Sequence, residues 1–159
     1  MSIEKVREAY KKMEWDRTIK EANEVVASDP HNLDALLMLA ESYLNKGFPV
    51  LGETNAQKAL GIDPRHPWAF RVLARAHRML AEGSTNEAEK KRYLDSAQSE
   101  IDRSLAAYTK DPWAYLEKAQ ISIALDDKGG ALEAIDNALA LDRHNETFDK
   151  VKKSIREMR

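Results

Sequence analysis

Arg71, Arg75 and Arg78 follow one another at spacings of four and three residues, so a helix carrying them presents three guanidinium groups in one stripe. Such a stripe suits a carboxylate-bearing or acidic peptide, because each guanidinium offers forked donors to a carboxylate. The alternative is a solvated face relieved by neighbouring acids such as Glu41. Trp68 and Trp113 sit in the matching tetrapeptides Pro67-Trp68-Ala69-Phe70 and Pro112-Trp113-Ala114-Tyr115. They either clasp an apolar side chain of a ligand or bury surface within the fold. His31, His66, His77 and His144 are spread along the chain, which is poor geometry for ligands that must converge on one metal ion. The sequence has no glycine-rich phosphate loop, HExxH or GxSxG. Asp126-Asp127 falls in a turn before Lys128-Gly129, where carboxylates favour the start of a following helix. The expectation is a non-catalytic chain with no cofactor and no metal.

The chain has 159 residues, 43% hydrophobic and 33% charged, which fits a modest helical core. Its net charge of −2 supplies no basic field to draw it onto nucleic acid. The apolar stretches are too short to span a bilayer, and the charged start MSIEKVREAY lacks the apolar segment of an export signal. Cysteine is absent, which is compatible with a reducing compartment. A cytoplasmic protein without membrane insertion is the expectation.

Punctuation supplies the organisation. Asp-Pro occurs at Asp29-Pro30, Asp63-Pro64 and Asp111-Pro112, and Leu141-Asp142-Arg143 makes a similar turn. Pro30 and Pro64 are 34 residues apart, whereas the two Pro-Trp-Ala-aromatic starts are 45 apart. The difference of 11 residues is about three helical turns, an insertion that keeps the faces in phase. Proline stops a preceding helix and is tolerated in the first turn of a following one.

Within this frame, large, small and aromatic positions recur. The second repeat has Leu36, Leu39, Ala40 and Tyr43, then Gly52, Ala56 and Ala59. The third has Phe70, Leu73, Ala74 and His77, then Ala97, Ile101 and Ser104. The fourth has Tyr115, Ala119, Ala131, Ile135 and Ala138, with Lys118 and Ser122 replacing apolar and aromatic residues. The first has Ile3, Val6 and Tyr10, then Trp15, Thr18, Ala22 and Val25. With its 34-residue period, this pattern resembles the tetratricopeptide repeat (TPR) family. The resemblance implies an all-α, right-handed α-α superhelix of antiparallel helix pairs, about nine helices in a single domain over 1–159. Repeats are expected at 1–30, 31–64, 65–109 with the insertion near 82–92, and 110–143. The helices expected are 2–12 and 15–28, 32–46 and 49–62, 66–82 and 85–109, 112–126 and 129–141, with a capping helix at 145–158. Ser84 with Glu87 reads as a capping box for a long helix whose first turns project from the solenoid.

The resemblance also implies a concave groove lined by the first helix of each pair. Its rows are Leu37, Arg71 and Leu116; Glu41, Arg75 and Gln120; and Leu44, Arg78 and Ile123. Trp68 and Trp113 stand at its mouth with Asp34. The lysine and asparagine clamp of chaperone-binding relatives is not reproduced, since the corresponding surface reads Leu37, Met38, Glu41, Trp68 and Val72. The function implied is a scaffold for a protein or peptide ligand, acidic or carboxylate-bearing. The alternative is assembly or self-association (a homo-oligomer) through the solenoid ends or the 85–95 helix with Ala88, Tyr93 and Leu94.

Overall fold

The computed structural model describes residues 2–159, and among them contains nine helices and no strand. Helix α1 (Ile3–Lys11) pairs with α2 (Trp15–Ser28), and α3 (Leu33–Asn45) pairs with α4 (Pro49–Ile62). Helix α5 (Pro67–Glu82) pairs with α6 (Glu87–Ala107), and α7 (Pro112–Ala124) with α8 (Lys128–Leu141), before α9 (Glu146–Arg156). Each helix packs on the next, and α1, α3, α5 and α7 also touch in succession. The result is a right-handed superhelix with an inner wall of odd-numbered helices backed by α2, α4, α6 and α8.

Local chemistry repeats as strictly as the packing. Asn32, His66, Asp111 and Asn145, spaced 34, 45 and 34 residues apart, are the N-caps of α3, α5, α7 and α9. Each side chain accepts a hydrogen bond from a backbone N–H of the first turn, satisfying a donor the helix cannot. His66 is thus a capping residue, whereas His31 and His144 lie one residue before theirs, so the three histidines are not equivalent. The turn inside a pair places Met13, Gly47 and Asp126 at φ of 57°, 87° and 59°, again at matching repeat positions. Asp29, Asp63 and Asp142 end α2, α4 and α8, but Asp111-Pro112 opens α7 instead of closing a helix.

The 11 extra residues are shared out. Helix α5 has 16 residues where α3 and α7 have 13, and α6 has 21 where α2, α4 and α8 have 14. The remaining residue lengthens the connection 83–86. Extra turns therefore lie side by side, and α5 and α6 make the most extensive helix contact in the chain. Leu94 is buried and Tyr93 stacks on His77 with ring centroids 5.8 Å apart, so one face of the 85–95 segment packs on the solenoid, while Glu87, Ala88, Lys91, Arg92 and Asp95 stay exposed. The cap of α6 is Asn86, accepting from Glu89, not Ser84, whose hydroxyl accepts from the Asn86 N–H.

Small residues set the helix spacing. Ala40, Ala56, Ala74, Ala97, Ala119 and Ala131 are fully buried, and an ideal Cβ on Gly52 falls 2.3 Å from Leu44 Cδ2. Gly52→Ala is expected to cost about 1–3 kcal/mol. Gly61→Ala, where a Cβ meets nothing within 4 Å, is expected to stabilise by up to about 1 kcal/mol. Urea titration of both checks the pair; equal effects contradict tight packing at Gly52.

His77 replaces the aromatic residue of its repeat. Its Nδ1 lies 2.5 Å from Glu100 of α6 and its Nε2 lies 2.7 Å from Glu53 of α4, tying both outer helices to α5. Burial disfavours the imidazolium, but the two carboxylates outweigh it and raise the pKa; burial also raises that of Glu100. Both groups bind protons more readily folded than unfolded, so stability falls as pH rises. The His77 contribution is complete below the ordinary value of about 6.5 and disappears as pH passes through the raised folded value. Thermal melts across that window are expected to decline in wild type and to flatten in His77→Gln. Parallel slopes contradict the clamp.

Candidate functional site: the concave groove

A cavity of about 480 Å³ occupies the inner wall. Tyr10, Met13 and Trp15 form one side, where α1 turns into α2, and Trp113, Leu116 and Gln120 of α7 form the other. Its floor is Glu41 and Asn45 of α3 with Arg71, Val72, Arg75 and Arg78 of α5. Met13 is 70% exposed and Trp113 is 48% exposed, so apolar surface faces solvent on both sides. A second hollow, about 660 Å³, runs along the outside of α6 beside Lys91, Arg92, Asp95 and Arg103, but it is shallow and without aromatic lining.

The charges on the floor are already paired, with one exception. Arg71 Nη1 donates to Asp111 Oδ2 at 2.8 Å, and Nη2 lies 3.7 Å from Glu41 Oε1. Arg78 Nε donates to Glu117 Oε1 at 2.5 Å, and Nη1 donates to Glu82 at 2.7 Å. Burial opposes the Arg78 charge, but the carboxylates of Glu117 and Glu82 outweigh it and hold the pKa above its ordinary value. Glu41 also accepts from the Tyr10 hydroxyl, and from Trp68 Nε1 at 3.1 Å. Burial, followed by the Glu41 charge, raises the Tyr10 pKa. Arg75 differs: its hydrogen bond goes to the Asn45 amide at 3.0 Å, and among the described residues no carboxylate lies within ion-pairing distance of it.

Seven of the ten residues expected in the groove line this cavity: Glu41, Arg71, Arg75, Arg78, Trp113, Leu116 and Gln120. Three do not. Leu37 is wholly buried with Leu36, Ala59 and Ala69, because the small Ala69 brings α5 close and Trp68 packs over the cluster. Trp68 is half-buried and structural, its ring 6.1 Å from that of Tyr10. Asp34 sits at the edge, paired with Arg7 at 2.9 Å. Leu44 is also buried, under Gly52. Among residues the sequence reading missed, Tyr10 had a signal: 34 residues before Leu44, it belongs to the row of Arg78 and Ile123. Glu117 is legible only through its partner, since a nearly buried carboxylate is recognised by the cation that neutralises it.

Removing that partner leaves a largely buried cation with only the exposed Glu82 beside it. Glu117→Ala is expected to destabilise by about 3 kcal/mol or more, and Gln120→Ala by no more than about 0.5 kcal/mol. Chemical denaturation compares them; a mild Glu117 effect contradicts the buried pair.

The fold is a tetratricopeptide-repeat solenoid. Comparisons with protein-family models and with curated proteins gave no match. Solved structures do match. A thermophilic TPR protein of Thermus thermophilus superposes with a TM-score of 0.87 at 19% identity, over 94% of this chain and 77% of that one. MamA superposes at 0.71 and 20% identity, over 99% and 84%. The first TPR of Spaghetti (RPAP3), bound to the HSP90 peptide SRMEEVD, superposes at 0.66 and 18% identity, over 79% and 93%. At these identities the likeness is one of fold. Among the described residues, no helix is long and apolar enough to cross a membrane.

Proposed function

We propose that the chain is a non-catalytic scaffold that holds a peptide or extended protein segment in its concave groove. The observation that carries this reading is the cavity between Tyr10, Met13 and Trp15 on one side and Trp113 and Leu116 on the other. Aromatic side chains there supply large contact area at small entropic cost. A structural neighbour captured with a peptide supports this use of the fold. A groove of this size buries limited area and must order its ligand, so the expected affinity is micromolar, about −8 kcal/mol.

The rival reading is assembly through the solenoid ends or the 85–95 helix, and the ends offer it little apolar surface. Exposed residues of α1 include Glu4, Lys5, Glu8 and Lys11, and those of α9 include Glu146, Lys150, Lys153 and Arg156, all charged. An exposed apolar corner remains at Phe48, Val50 and Leu51, and serves as the comparison site.

Reversing all three arginines would be a poor test, because it places new acids against Glu41, Asp111 and Glu117. A better one selects ligands from a random-dodecapeptide display library and measures their binding by tryptophan fluorescence or calorimetry. Leu116→Glu is expected to weaken the selected peptides at least about tenfold, or about 1.4 kcal/mol, while Val50→Glu leaves them unchanged. The reverse pattern, or a ligand-induced change in oligomeric mass as the sole response, contradicts groove binding.

A further inference from the structure

We infer that the groove selects a peptide segment carrying a single carboxylate flanked by apolar side chains, with the carboxylate bound by Arg75; this rests on the groove reading above. A stripe of three arginines suggests affinity for acidic runs, but the contacts argue otherwise. Arg71 is held by Asp111 and Glu41, and Arg78 by Glu117 and Glu82. Three guanidinium groups thus stand among four carboxylates, and the cluster as a whole carries no positive surplus. Arg71 and Arg78 are 19% and 14% exposed, and their partners Asp111 and Glu117 are 15% and 8% exposed. A ligand carboxylate that took either arginine would strand a carboxylate of the protein in a site with little water.

Arg75 lies between them with none of these obligations. Its Asn45 contact is neutral and exposed, so an incoming carboxylate displaces no charge. A second carboxylate nearby on the ligand would meet Glu41 or Glu117 instead of a free cation. The surfaces flanking Arg75 are apolar and unfilled: Met13 and Trp15 toward the amino-terminal side, Trp113 and Leu116 toward the other. Charge complementarity therefore fixes one anionic group, and the flanks fix apolar neighbours.

The same dodecapeptide library is the probe, now read for composition and for dependence on Arg75. Enriched peptides are expected to hold one Asp or Glu between apolar residues. Their binding is expected to fall about tenfold in Arg75→Gln, and equally when the peptide's Glu becomes Gln, with no further loss when both changes are combined. Circular dichroism and thermal melts of Arg75→Gln and Leu116→Glu, both at partly buried positions, establish that each variant keeps the fold. Peptides lost in Leu116→Glu but rich in acidic runs, basic, or lacking a carboxylate overturn this inference and leave groove binding standing. Peptides indifferent to Leu116→Glu, or failure to enrich any peptide, overturn both.

Discussion

Consecutive helices in this solenoid meet through residues with almost no side chain, and the rest of the structure depends on that close approach. Ala40 and Gly52 let α3 and α4 nest, Ala74 and Ala97 serve α5 and α6, and Ala119 and Ala131 serve α7 and α8. With spacing set at each crossing, the larger residues fill the intervals: Leu39 and Met38 with Val25 in the first, Ile101 with Ile121 in the third, Ile135 with Phe148 at the end. Close approach also keeps the odd-numbered helices in one wall. A groove exists because four inner helices share a face, and they share it because no bulky crossing residue pushes a pair out of line.

Polar contacts then join neighbouring repeats along that wall. Tyr10 of α1 and Trp68 of α5 both donate to Glu41 of α3; Arg71 reaches the cap of α7, and Arg78 reaches Glu117. These bonds give the arginines a structural role that their spacing does not reveal. Asp111 serves twice, capping α7 with Oδ1 and holding Arg71 with Oδ2. The outer layer has a counterpart in His77, which links α4 and α6 through two carboxylates. Most of the charge in the interior of this chain is committed to keeping repeats in register, and Arg75 stands out by its lack of such a partner.

The architecture was largely legible in the sequence because its causes are local. Proline, N-cap and small-residue positions recur at fixed intervals, so helix ends fall within two residues of expectation and α2 and α4 match it. Errors arose where a partner distant in sequence decides the outcome. Leu37 has the register of a groove residue, yet Ala69 and Trp68 bury it. Trp68 and Trp113 share a motif, yet Glu41 and Tyr10 engage one while Phe148 leaves half of the other exposed. The insertion was visible as 11 residues in phase, but its division between α5, its connection and α6 depends on how the added turns pack against each other. The alternative of an arginine face relieved by acids was nearer to the contacts for Arg71 and Arg78 than a free cationic stripe.

The central claim is that ligands enter along the inner wall. Amide chemical-shift mapping during titration with a library-selected dodecapeptide tests it most directly, because it reports every helix at once. The account predicts perturbations concentrated on α3, α5 and α7 around Glu41, Arg75, Trp113 and Gln120, with the outward faces of α4 and α8 silent. Perturbations centred on Phe48, Val50 and Leu51, or on α1 and α9 alone, would contradict it.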